Sequence, residues 1–172
     1  MKYIRILAVL LAMCLLFAGC KGSSDHKTPD ELFDEEQPDA NFSRCGVIFD
    51  LPEDFTDYSN SPLATNYEFL YASPYVGIYG LKDHPGGLDE EINSFEIFVS
   101  KIAERYGTEA TQKDGIWVMS YEDPEQNEPQ MIVCAFYEVG DMYWSIYSYC
   151  PSDLFEENGD AMWGYVTSVT FE

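Results

Sequence analysis

The chain has 172 residues, 46% of them hydrophobic and 16% aromatic, and carries 31 acidic against 9 basic side chains for a formal net charge of −22. A field of that sign repels nucleic acid and anionic headgroups, whose binding needs Lys and Arg to displace counterions, so nucleic-acid binding is excluded. The same surface attracts basic partners and divalent cations, but it also simply keeps a protein soluble, and that is the simpler account.

Lys2 and Arg5 precede an apolar stretch from Ile6 to Leu16, which leads into Phe17-Ala18-Gly19-Cys20. This is the tripartite layout of a secretory signal. Small side chains just before a cysteine resemble the bacterial lipobox, with Phe17 where Leu is usual. Residues 1–19 are therefore read as a lipoprotein signal peptide, and Cys20 as the acylated first residue of the mature protein. An uncleaved anchor fits less well, because Ile6–Ala18 falls short of the ~20 apolar residues that cross a bilayer. Two acyl chains anchor stably where one does not, each buried CH₂ contributing ~0.8 kcal/mol. The expected location is the outer face of the cell membrane, or the outer membrane if the cell has two. Losing the leader removes two bases and no acid, so the mature charge is 7 − 31 = −24.

Residues 20–41 hold the lipidated cysteine and a polar, acidic segment containing Pro29 and Pro38. A segment so poor in apolar groups cannot offset its ordering entropy, and it reads as a disordered tether. Leu32 and Phe33 within it are candidates for docking on a partner, against the simpler reading of a solvated spacer.

Residues 42–172 are expected to form a single globular α+β domain. Cys45–Phe49 reads as a short strand closed by Leu51-Pro52. Tyr67–Tyr71 and Tyr75–Leu81 flank Ala72-Ser73-Pro74 as a hairpin. The period then changes: Phe95, Phe98, Val99, Ile102 and Tyr106 share one helical stripe, with Asn93 or Ser94 as cap and Gly107 at the C′ position. Glu109–Gln112 and Ile116–Tyr121 are strands around the turn Lys113-Asp114-Gly115. Gln130–Val139 and Met142–Cys150 flank Gly140-Asp141 and should be the longest antiparallel pair, at the middle of the sheet. Ser152 is expected to cap a short turn, Asp160–Val166 to form a second helical piece, and Ser168–Glu172 an edge strand.

Taken in order, these elements resemble a known family. The strand closed by Leu51-Pro52-Glu53-Asp54-Phe55, the tyrosine-bearing strands, the single long helix, the unit MIVCAFYEVGDMYWSIYSYC and the ending Ser168-Val169-Thr170-Phe171 are similar to small bacterial lipoproteins with a PsbP-like (Mog-type) α/β/α sandwich. The resemblance spans about residues 42–172. It implies an antiparallel β-sheet with helices packed on its faces. It also implies a binding or accessory module with no shared catalytic residues to carry over.

The inventory for catalysis is poor. His26 lies in the tether, and His84 in a Pro/Gly loop where no packed neighbours hold it as a general base. Asp83-His84 remains a candidate ligand-contact pair. Cys45, Cys134 and Cys150 form an odd set without CxxC spacing. Cys134 reads as a buried thiol, while Cys45 and Cys150, at strand ends, are candidates for a disulfide that export would permit. Acids cluster at Asp89-Glu90-Glu91, at Asp123/Glu125/Glu128 and at Glu156-Glu157 with Asp160. None fits the calcium-loop template, so neither a metal site nor a cofactor is expected. Tyr137, Tyr143, Trp144, Tyr147 and Tyr149 crowd the long hairpin. Alternation puts Tyr143, Tyr147 and Tyr149 on one face and Trp144 with Ile146 on the other. Tyr143, Trp144 and Tyr147 are the candidate ligand contacts of an aromatic platform, against the simpler reading that these rings are core.

The expectation is a non-enzymatic binding or accessory module. It is anchored to a membrane through Cys20 and meets a basic or envelope protein partner or a small ligand. The alternative is an envelope hydrolase acting on glycan or peptide through loop carboxylates, and a third is weak divalent-cation capture.

Overall fold

The structure, a computed structural model, describes residues 41–124 and 128–172. By its contacts the chain divides into Met1–Gln37 and Pro38–Glu172, and everything described falls in the second unit. The signal peptide, Cys20, the tether with Leu32 and Phe33, His26 and Glu125 lie outside the described residues.

Among the described residues ten strands and two α-helices follow in chain order: β1 (Asn41–Arg44), β2 (Val47–Asp50), β3 (Thr56–Asp57), β4 (Phe69–Ala72), β5 (Gly77–Asp83), α1 (Phe95–Arg105), β6 (Thr111–Lys113), β7 (Ile116–Asp123), β8 (Gln130–Val139), β9 (Met142–Pro151), α2 (Phe155–Thr167) and β10 (Thr170–Phe171). Seven strands make one sheet in the order β3-β4-β5-β9-β8-β7-β6, and β1, β2 and β10 make a separate three-stranded sheet. Every pairing is antiparallel. The fold is α+β, an antiparallel sheet with helices on its faces.

The long hairpin of β8 and β9 lies at the middle of the large sheet, with Val139 opposite Met142 across the Gly140-Asp141 turn. Gly140 takes φ +62°, a left-handed conformation that costs glycine little. The β4–β5 hairpin and the β6–β7 turn at Asp114-Gly115 also form where turn chemistry predicts them.

One expectation needs correction. Cys45–Phe49 is not one strand: Cys45 and Gly46 take φ +55° and +80° and turn the chain between β1 and β2. Positive φ at two successive residues is what a tight hairpin turn demands, and it breaks the run in two. The carboxyl-terminal strand is an edge strand, as its alternation predicts, and the sheet it borders is the small one. Thr170 and Phe171 pair with Ile48 and Val47, and the backbone N–H of Glu172 donates to Gly46 O at 3.0 Å.

Helix α1 starts at Ser94, whose hydroxyl accepts from the backbone N–H of Ile97 at 3.3 Å. It stops at a Schellman turn: the N–H of Thr108 donates to Ala103 O (3.0 Å), that of Gly107 to Glu104 O (3.1 Å), and Gly107 takes φ +66°. Helix α2 begins five residues before the expected Asp160, because Phe155 packs on the core and Gly159 lets its ring lie close to the helix. Ser152 does not cap: its buried hydroxyl finds no partner among the described residues, and Pro151 holds the cap position.

The sheet divides the core in two. On one face Val118, Val133, Ala135, Trp144, Ile146, Phe69, Tyr71 and Ile78 pack against α2, through Met162 and Val166, and against the small sheet, through Val47 and Phe49. The Leu51-Pro52 turn, closed by the N–H of Phe55 on Pro52 O at 3.1 Å, drives Leu51 and Phe55 into this core. Phe171 adds its ring to Tyr137 and Trp144. On the other face Met119, Ile132, Cys134, Phe136, Tyr143 and Tyr147 pack against α1 through Phe98, Val99 and Ala103.

Candidate functional site: a tyrosine basin beside helix α1

Helix α1 has 11 residues, about 16 Å at 1.5 Å per residue, whereas β8 and β9 each run ten residues, about 33 Å. One helix of that length cannot roof the face. What it leaves open is decided by register. One cross-strand row on this face is Tyr121, Ile132 and Tyr149, with Gly77 beyond it, and the next is Met119, Cys134, Tyr147 and Tyr79, with Leu70 beyond. The second row runs under the helix at Met119 and Cys134, while the first row and Tyr79 form the floor of a basin of about 500 Å³.

Each wall has a local cause. The Schellman turn that ends α1 sets Tyr106 stacked on Tyr121, ring centroids 4.3 Å apart, and Thr108 Oγ1 ties the exit to β7 by donating to Ser120 O at 2.9 Å. Opposite, a 3-10 turn over Pro62–Ala64, capped by Ser61, carries the chain up to Tyr67 and leaves Leu63 72% exposed at the rim. Tyr67 packs on Tyr79 at 4.5 Å, and Tyr79 on Tyr149 at 6.0 Å. The ring of Tyr149 lies directly over Gly77, where any Cβ would collide with it. Asp123 and Gln130 line one side.

The phenols of the floor stay protonated. Burial pushes Tyr79 far above its ordinary value, with Tyr121, Tyr106 and Tyr67 adding to the shift. Burial likewise raises Tyr121, reinforced by the charge and hydrogen bond of Tyr106, and burial raises Tyr149. The basin therefore presents neutral hydroxyls and π faces rather than phenolates.

Two other clefts border the same sheet. One of about 680 Å³ opens at the amino end of α1 between Asn93, Glu96, Gln112, Trp117 and Glu138, and one of about 590 Å³ lies between Glu109, Lys113 and Trp163. The first is also lined by aromatic side chains, Phe95, Trp117, Phe136, Tyr137 and Tyr143, whereas the second has one, Trp163.

The sequence-predicted contacts fall elsewhere. Tyr143, Trp144 and Tyr147 are 6%, 3% and 1% exposed and belong to the core, with Tyr143 also lining the cleft at the amino end of α1. Their predicted division between the faces holds. Asp83, at the end of β5, is half-buried, which raises its carboxyl above the usual range against the pull of Arg105. His84 caps a 3-10 turn, Nδ1 accepting from the N–H of Gly86 at 3.0 Å while Nε2 lies 3.5 Å from Asp141. Both ring nitrogens are thus occupied by neighbouring loops. Cys45, Cys134 and Cys150 are free thiols, and the Cys45–Cys150 disulfide is not formed: Cys45 is exposed on its turn while Cys150 is fully buried beneath the other core. Of the acids proposed for hydrolysis, Asp123 lines the basin, and none of the other described ones lines any of the three clefts. Among the described residues no group of three or more His, Cys, Asp or Glu is placed to hold a metal ion. Nor is any described helix long and apolar enough to cross a membrane.

Of the basin, sequence reasoning reached Tyr149 as part of the long hairpin and missed the grouping of Tyr67, Tyr79, Tyr106 and Tyr121. Each was visible as a strand or helix residue. Only cross-strand register and the direction of the helix exit bring them together.

A tyrosine-rich α+β protein with one face of its sheet partly open is the class these features define. No family model matches the chain, and no curated protein does. Among solved structures it is similar to cyanobacterial PsbP (CyanoP) from Synechocystis sp. PCC 6803, with 8% identity and TM-score 0.45 over 74% of this chain and 87% of that one. It is also similar to a protein from Bacteroides thetaiotaomicron VPI-5482, with 8% identity and TM-score 0.46 over 74% of this chain. Of the latter it spans only 45%. Both are likenesses of fold alone.

Proposed function

We propose that the chain is a non-enzymatic binding or accessory module, tethered by lipid on Cys20 at the outer face of a membrane, which holds its ligand in the tyrosine basin. The observation that carries the binding reading is the basin itself. A large, partly apolar concavity lined by aromatic rings with a few polar groups at one side is the usual form of a ligand site. Leaving five tyrosines around open space forgoes the stabilisation that a longer helix would bring by covering them. The anchoring reading rests on Lys2, Arg5, the apolar run and the small-residue exit before Cys20.

Hydrolysis through loop carboxylates is less well supported. Glycosidase chemistry needs two convergent carboxyl groups at a fixed separation; among the described residues the basin contains one, Asp123, and the two at the amino-end cleft, Glu96 and Glu138, stand on a helix and a strand rather than on loops.

The test has two parts. Metabolic labelling with a fatty-acid analogue should mark the chain and be lost in Cys20→Ala; an unlabelled, cytosolic chain removes the anchor. Chain purified from its own membranes, once denatured, should release a small molecule that a Tyr67→Ala/Tyr106→Ala variant does not carry. Identical, empty extracts from both would remove the binding role.

A further inference from the structure

We infer that the tyrosine basin takes a small soluble organic cation, of the alkylated or quaternary ammonium kind, held among the rings of Tyr67, Tyr106, Tyr121 and Tyr149, with Tyr79 stacked on Tyr147 beneath them. The inference rests on the reading of the basin as a binding site and adds the ligand's charge.

Three observations converge on it. First, the described residues set Lys82 over the ring of Trp144 at 5.2 Å and Lys113 over that of Trp163 at 6.0 Å. The chain thus provides its own cations to two tryptophans, whereas no Lys or Arg lines the five-tyrosine group. An aromatic face carries a negative quadrupole that attracts a cation within about 6 Å, and a ring cluster without an internal cation is the arrangement that recognises ammonium ligands. Second, the charge is right. Among the described residues the lining contains one acidic side chain, Asp123, and no basic one, on a chain of net charge −22, so the field of the chain concentrates cations and repels anions. Third, burial holds the floor phenols of Tyr79, Tyr121 and Tyr149 neutral, so attraction comes from ring faces rather than from a salt bridge to phenolate. That favours a weakly hydrated alkylammonium over a strongly hydrated inorganic ion.

The space is larger than one ammonium head requires. About 500 Å³ leaves room for an attached chain over Leu63, Leu70 and Ile132. A neutral sugar also stacks on tyrosine, but sugar recognition relies on several convergent polar groups. Here the amide of Gln130 already donates to Glu128 O at 3.3 Å.

The full chain titrated with choline, and separately with its neutral carbon isostere dimethylbutanol, tests the charge at constant shape. Choline should shift the aromatic NMR signals of Tyr67 and Tyr106 and bind about tenfold more tightly than the isostere. Tyr106→Leu, which keeps apolar bulk at an exposed position, should abolish most of that preference, and Tyr106→Phe should retain it. Equal binding of the two probes, or a response to N-acetylglucosamine alone, overturns the cation and leaves the basin as a binding site. Capture by phosphatidylcholine vesicles without a response to free choline overturns the soluble ligand. Silence of the tyrosine signals to every probe overturns both the cation and the binding reading on which it rests.

Discussion

On the sheet face that carries Ile78, Trp144 and Ile146, a second sheet and a 13-residue helix share the covering, and the aromatic rings beneath are almost wholly removed from water. On the opposite face an 11-residue helix lies alone, and the rings beyond its end remain partly wet. The two faces are made from the same strands, so their difference is not one of β-propensity. It lies in how much chain is assigned to each. The closed face is built for stability, and the half-covered one keeps aromatic surface available at the expense of burial.

The largest effect that separates the faces should come from truncating a ring on each. Trp144→Ala, in the closed core, should lower the free energy of unfolding by ~3–5 kcal/mol in urea denaturation. Tyr106→Ala, which loses mainly its stacking on Tyr121, should cost no more than ~1.5 kcal/mol. Comparable losses would mean that the faces are equally packed.

Alkaline pH gives the next contrast. Burial raises the phenols of Tyr79, Tyr121, Tyr147 and Tyr149 above their ordinary value of 10.0. In the unfolded chain they ionise near that value, so above it the unfolded state binds fewer protons than the folded one. Stability is therefore complete below about pH 10 and falls as pH rises further, by ~1.4 kcal/mol per pH unit for each phenol that stays protonated. Phenolate absorbance should rise together with loss of the far-ultraviolet circular dichroism, and Tyr147→Phe should make the fall less steep. Ionisation of these phenols in a chain with native dichroism would contradict the burial.

Two glycines of β5 sharpen the contrast at smaller scale. A methyl at Gly80 would strike the ring of Phe69 inside the closed core, and one at Gly77 would strike the far end of Tyr149, which borders open space. Gly80→Ala should cost ~1–3 kcal/mol in thermal unfolding. Gly77→Ala should cost less than half as much, because the Tyr149 ring can move into the basin. The reverse ranking would show that Tyr149 is fixed.

Most of the architecture is written in local pattern. The stripe from Phe95 to Tyr106 with Ser94 before it and Gly107 after it specifies α1 almost to the residue, and alternation assigns Tyr143 and Trp144 to opposite faces. What local pattern does not carry is pairing between distant segments. Thr170-Phe171 is recognisable as a strand, but that its partner is β2 depends on the bend at Cys45-Gly46 and on the closed core under it. Helix α2 starts earlier than propensity allows because burial of Phe155 outweighs Asn158 and Gly159. The basin was illegible for the same reason. Its tyrosines come from β5, β7, β9, the exit of α1 and the approach to β4, and only the assembled register makes them neighbours.

The pairing of residues 47 and 48 with residues 170 and 171 also sets a timetable. In a chain made in order from its amino end, the open edge of β2 stays unpaired until residues 170 and 171 arrive, so the small sheet is among the last parts of the fold to close.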